Sequence, residues 1–181
     1  MTSAQTKPAR IAAMEPPRIA VLTISDGVAA GTRTDASGAA ITAWIAARNS
    51  ALAAHDVVPD ATDRVTAALL ALADRGDVDI ILTTGGTGLT ARDITPEATR
   101  AVIERAVPGI CERIRAEGAS ATAYAALSRG IAGVRGSTLI VNLPGSTSGV
   151  RDGLRVLDDL IDHAVQLLRG VDTASHDPPH G

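Results

Sequence analysis

Three stretches of the chain are almost continuously apolar: RIAVLTIS (18–25), DVDIILTT (77–84) and STLIVNLP (137–144). Runs of this kind, rich in β-branched residues, are the pattern of strands buried on both faces of a sheet. A shorter run, LAAHDVV (52–58), and a weaker one near 131–134 predict two more strands. Between the strands, apolar residues recur at three- and four-residue steps. The spacing predicts helices over 36–49, 62–75 and 149–169, the last with Val150, Leu154, Leu157, Ile161, Val165 and Leu168 on one face. Another helix is expected to open at Pro96, with Thr95 as its N-cap and Glu97 in its first turn. Residues 108–128 read as two short helices. Strands alternating with helices predict an α/β fold, with a mostly parallel sheet and helices on both faces. The pattern fits one domain over 18–170. Pro8, Pro16 and Pro17 predict a disordered leader over 1–17, and VDTASHDPPHG predicts a disordered tail over 171–181.

Composition then narrows the function classes. The 181 residues include no Phe, one Trp (Trp44) and one Tyr (Tyr124), so the core is built from aliphatic residues. Stacking platforms for single-stranded nucleic acid are missing, and a net charge of −3 argues against a broad nucleic-acid surface. No stretch approaches the ~18–20 apolar residues of a membrane span. Cys111 is the single cysteine, which excludes an intrachain disulfide and makes a cytoplasmic location the expectation.

Chemistry is expected beyond the carboxyl ends of the strands, where open α/β sheets bind ligands. Three segments there are glycine-rich or polar: SDGVAAGTRTDASG (25–38), TGGTGLTARDIT (84–95) and NLPGSTSG (142–149). The last runs into a predicted helix, whose first N–H groups suit an anion. None contains the P-loop pattern GxxxxGK[ST]. Gly86, Gly88 and Ala91 formally match GxGxxA, but no helix opens there as a dinucleotide site requires. The 84–95 connection is also longer than the ~2–6 residues usual for βα loops.

Asp93 in this loop and Asp60 in VVPDA fall on the same sheet edge. Acids beside a phosphate-binding loop make sense if Mg²⁺ bridges them to phosphate oxygens. The alternatives are an N-cap role for Asp60 and an Asx turn for Asp93. Ser128 and Arg129, in LSRGIAG, suit an anion contact or an ordinary cationic helix end. The four histidines form no ligand-spaced pair, and Cys111 reads as a core residue.

The segments TTGGTG, RDITPEA, LSRGIAG and TLIVNLPGS, in that order, resemble the molybdopterin adenylyltransferase family of molybdenum-cofactor biosynthesis. LTISDG and VPD fit as well, so the resemblance covers roughly 18–169. It implies a three-layer α/β/α domain, often trimeric, that joins ATP and molybdopterin with Mg²⁺ to give adenylylated molybdopterin and pyrophosphate. Asp60 and Asp93 match the family's two functional aspartates, as catalytic and metal-holding residues. Thr84, Gly85, Gly86, Thr87 and Gly88 match its nucleotide-side loop, with Ser25 and Asp26 on the same pocket. Ser128, Arg129, Pro144, Gly145 and Ser146 match segments on the pterin or shared side. Thr147 stands where relatives often carry proline, which changes loop stiffness only. The implied partner is a molybdenum-insertion enzyme that receives the product. A non-catalytic molybdopterin-binding or scaffold module is the alternative, and retention of both aspartates favours catalysis.

Overall fold

A computed structural model describes residues 15–170. The predicted tail 171–181 and most of the predicted leader lie outside the described residues. The last three leader residues, 15–17, are held against the fold. The Glu15 carbonyl accepts from the Arg169 guanidinium at 2.7 Å, and the Pro17 carbonyl accepts from the Ala51 amide at 2.9 Å.

Six strands form one sheet: β1 (Arg18–Ile24), β2 (Ala51–Val58), β3 (Ile80–Thr84), β4 (Arg105–Ala106), β5 (Ala132–Arg135) and β6 (Thr138–Leu143). Their order is β2-β1-β3-β6-β5-β4. The first four strands in that order run parallel, and β5 folds back antiparallel on β6. Alternate residues divide between two cores, as the period of two along a strand dictates. Ile19, Val21, Ile80, Leu82 and Val141 face one layer, packed against α2 (Ala36–Ala47), α5 (Pro108–Ala119), α6 (Thr147–Asp158) and α7 (Ile161–Leu168). Ala20, Leu22, Ile81 and Ile140 face the other, against α3 (Thr62–Ala73) and α4 (Thr95–Arg100). The result is the expected three-layer α/β/α sandwich. Cys111 lies in the first core, as expected, and burial pushes its thiol up to about 11, so it stays protonated.

Local departures from the sequence reading have local causes. The helix expected over 149–169 is two helices, broken at residues 159–160. Asp158 accepts from the Trp44 indole on α2 and from Arg48 at its C-cap, while Asp159 pairs with Arg113 on α5. The apolar stripe survives the break because Leu157 and Ile161 enter the same core. Helix α6 also starts earlier than expected, since the Ser146 hydroxyl accepts from the Gly149 amide as its N-cap. Thr95 is not the N-cap of α4 but its first residue, and its hydroxyl donates to the Gly85 carbonyl at 2.8 Å. A short helix α1 (Asp26–Ala29), capped by Ser25, was not anticipated. Within 108–128, α5 is followed by a 3₁₀ turn over Ala123–Leu127, close to the expected pair.

Candidate active site

Gly85 and Gly86 end β3 with φ of +100° and +64°. These left-handed values let the β3–α4 loop turn sharply over the end of β1. A Cβ on Gly85 would lie 2.2 Å from the Ile24 carbonyl oxygen, and one on Gly86 would lie 2.4 Å from the Thr95 hydroxyl. Gly85 packs directly on backbone and Gly86 on the Thr95 side chain, so both glycines are required by approach as well as by φ. Thr84 donates its hydroxyl to the Pro144 carbonyl at 2.8 Å, which ties this loop to the one after β6.

Asp60 and Asp26 brace each other across the edge of the sheet. The Asp26 amide donates to the Asp60 carboxylate at 2.8 Å, and the Asp60 amide donates to the Asp26 carboxylate at 3.0 Å. Asp26 also pairs with Arg92 of the β3–α4 loop. Asp60 caps no helix, since the residue at the N-cap of α3 is Ala61. Its second oxygen lies 3.5 Å from where a Cβ on Gly86 would sit.

Asp93 reaches back to Thr90, accepting from its amide at 2.8 Å and its hydroxyl at 2.7 Å. Burial opposes its charge. The Thr90 hydroxyl, the Gly88 and Thr90 amides and nearby Arg129 outweigh that, and its pKa lies below the ordinary carboxylate value. Arg129 serves the same loop. It donates to the Gly88 carbonyl at 2.7 Å and to the Asp93 carbonyl, and it pairs with Glu97, whose pKa it lowers.

Two cavities open above these loops and share Gly86, Gly145 and Ser146 as a common ridge. One, of about 430 Å³, is polar and is lined by Ser25, Asp35, Asp60, Thr84 and Gly85 among others. The other, of about 380 Å³, is walled by Ile114, Ala121, Ala125 and Leu127, with Asp93 and Ser128 at its edge. Both volumes are in the range of small-molecule sites. Helix α6 begins on the ridge, where Thr147 faces the polar cavity and Ser148 the apolar one. The first amides of a helix have no intrahelical acceptor and attract anions.

Most of the predicted site residues therefore meet at one place. Ser25, Asp60, Thr84 and Gly85 line the polar cavity; Thr87, Gly88, Asp93, Ser128 and Pro144 line the apolar one; Gly86, Gly145 and Ser146 separate them. Asp26 and Arg129 line neither, and act on the loops that do. Among the described residues, no group of three or more His, Cys, Asp and Glu converges on one point. A cation here would take one or two carboxylates and fill its shell with phosphate and water oxygens, which suits Mg²⁺. Asp60 lines the polar cavity and Asp93 the apolar one, on either side of the shared ridge.

The sequence reading missed Asp35 and Asp152. Asp35 caps α2 and accepts from the Thr23 hydroxyl at 2.6 Å, with the His55 ring nitrogen 3.0 Å away. Burial opposes its charge, but these partners and the Gly38 amide lower its pKa. Its signal was present as an aspartate directly before an alanine-rich helical run. Asp152 lines the apolar cavity from α6.

Residues 20–163 match the family described as "Probable molybdopterin binding domain". The chain belongs to this family. Its similarity to a family member named molybdopterin adenylyltransferase, from Helicobacter pylori strain J99, is 36% identity over 159 residues. That match covers 87% of this chain and 90% of the relative. It is 40% identical over 156 residues to the molybdenum cofactor synthesis protein cinnamon of Drosophila melanogaster, covering 86% of this chain but only 26% of that longer protein. The chain thus spans about a quarter of that relative's length. The crystal structure of the molybdopterin biosynthesis enzyme MoaB from Thermus thermophilus shares the fold, with a TM-score of 0.79 and 46% identity over 84% of this chain and 96% of that one.

Proposed function

We propose that this domain is a molybdopterin adenylyltransferase that transfers AMP from ATP to the phosphate of molybdopterin and releases pyrophosphate. The observation that carries the reading is the pair of unlike cavities meeting at the Gly86–Gly145–Ser146 ridge. A transfer between two bound molecules needs such a junction, with the reacting groups held in line. The polar cavity takes the nucleotide, and the walled apolar cavity takes the pterin, so Thr87 and Gly88, expected on the nucleotide side, fall on the pterin side of this assignment. Both phosphate ends then meet over the Gly85–Gly86 turn and the start of α6.

The terminal phosphate of molybdopterin attacks the α-phosphorus, and pyrophosphate leaves without a protein nucleophile. The helix amides and the Ser146 side stabilise charge on the transferring group. Asp60 and Asp93 would hold Mg²⁺, which supplies positive charge to the phosphate oxygens. Asp26 fixes Asp60, and Arg129 fixes the loop that carries Asp93. Binding without transfer is the weaker alternative, because a carboxylate lines each of the two cavities, Asp60 the polar one and Asp93 the apolar one. The expected result of incubating the protein with molybdopterin, ATP and Mg²⁺ is adenylylated molybdopterin with stoichiometric pyrophosphate, read by chromatography. Bound pterin with no product would favour the binding module.

The trimer, the cytoplasmic setting and hand-over of product to a molybdenum-insertion enzyme belong to the same proposal. Among the described residues, no helix is long and apolar enough to cross a membrane. Edge strand β2 exposes Leu52 and Val57, apolar surface that a second copy could cover. Light scattering is expected to give the mass of three chains at micromolar concentration; the mass of one chain would overturn the trimer.

A further inference from the structure

Two carboxylates line the apolar cavity, and they differ in what already occupies them. Asp93, at the Gly88 end, has an oxygen taken up by the Thr90 amide and hydroxyl. Asp152 stands on α6 toward the Gly118 end, with a side chain only 16% exposed. Its Oδ1 pairs with Arg155, one turn along the same helix. Its Oδ2 accepts no hydrogen bond among the described residues, lies 4.0 Å from where a Cβ on Gly118 would sit, and is not sealed from solvent. That oxygen is open to the cavity and keeps its lone pairs for an N–H donor on a bound molecule.

Resting on the function proposed above, we infer that Asp152 reads the donor edge of the pterin ring and so decides which substrate enters which cavity. The 2-amino-4-oxopyrimidine of a pterin carries the N3–H and a 2-amino N–H side by side. A carboxylate accepts from both, with lone pairs to spare for Arg155. Adenine offers no such pair of adjacent donors, since its ring nitrogens are acceptors. The nucleotide base is thereby disfavoured in the apolar cavity and left to the polar one. Sites built to hydrogen-bond a substrate group discriminate against analogues that lack it, because the bound ring displaces water from the acceptor without replacing its donor.

The test compares 6-(phosphoryloxymethyl)pterin with its lumazine counterpart, in which a 2-oxo group replaces the 2-amino donor. Calorimetry on the parent is expected to show the pterin bound at least about 10-fold more tightly. Asp152→Asn, which turns one acceptor into a donor, should abolish the pterin preference or reverse it toward the lumazine, whose 2-oxo group the new amide N–H can meet, with ATP affinity and melting temperature unchanged. Arg155→Ala, which removes the ion pair and keeps the carboxylate, should retain the preference. A parent with no preference, or an Asp152→Asn protein that keeps it, overturns the role of Asp152. Product formation by the parent, measured on the same samples, separates that failure from failure of the transferase reading itself.

Discussion

Asp60→Asn is expected to lower adenylyl transfer by about 100- to 1,000-fold, with the melting temperature within about 2 °C of the parent. Charge stabilisation at a transferring phosphate contributes several kcal/mol, and each 1.36 kcal/mol is about tenfold in rate. The fold should be indifferent to the change. Asparagine keeps one oxygen to accept from the Asp26 amide, and the Asp60 amide still donates to Asp26. Asp93→Asn should cause a fall of similar size for the same reason. It also keeps an oxygen for the Thr90 amide, so the loop closure persists. Because Asp60 lines the polar cavity and Asp93 the apolar one, the proposed placement of ATP and pterin means that the first variant should require more Mg²⁺ and ATP, with pterin affinity unchanged. Rates, Mg²⁺ titrations, pterin affinity and melting temperature are read on the same preparations. Parent-like turnover at low Mg²⁺ would return both residues to a purely loop-bracing role.

The largest effect on stability is expected far from the site. Asp79, with a side chain 6% exposed, accepts from the Arg18 amide and guanidinium and from the Arg169 guanidinium. Asp79→Ala removes the shared acceptor of two arginines and should cost about 3 kcal/mol, the lower end for a broken buried pair because both arginines remain partly hydrated. Burial opposes the Asp79 charge, but the hydrogen bonds from Arg18 and Arg169 outweigh it and hold its pKa far below the ordinary value. The unfolded chain therefore takes up this proton near pH ~4, and the folded chain only at much lower pH. Acid thus favours unfolding: the contribution is complete above pH ~4 and is lost as pH falls below it. Denaturation midpoints at pH 7, 4 and 3 should show a steeper acid loss in the parent than in Asp79→Asn. Equal slopes would mean that the carboxylate is not held in this way.

The strands were legible because Ile19 to Ile24, Ile80 to Leu82 and Leu139 to Leu143 are buried on both faces, which leaves no polar alternation to confuse the reading. The glycine loop was legible because a left-handed turn admits few residues other than Gly85 and Gly86. Side-chain bonds between distant segments were not. The role of Thr95 depends on the Gly85 carbonyl, and the break after Asp158 depends on Trp44 and Arg48, more than a hundred positions away. Asn142 is similar: it sits inside an apolar strand run, yet its amide donates to the hydroxyls of Thr83 and Thr99 and its oxygen accepts from the Ile131 amide. Asp152 was hidden for another reason. On a helix, one acid among Arg151, Arg155 and Asp158 reads as part of a solvated face until the cavity beside it is known.

The Asp79 cluster also fixes where the chain enters and leaves the fold. Arg169 donates to the carbonyls of Glu15 and Pro16 while it pairs with Asp79, so residues 15 and 170 lie together. Asp79 precedes β3, whereas the cavities sit beyond the opposite, carboxyl ends of the same strands. Residues 15 and 170 thus share one pole of the domain, and the two cavities occupy the other. A unit wired in this way can be spliced into a longer polypeptide, as in a relative of cinnamon's length, with both junctions leaving from the back. Segments attached at both ends would then extend away from the mouths of the two cavities.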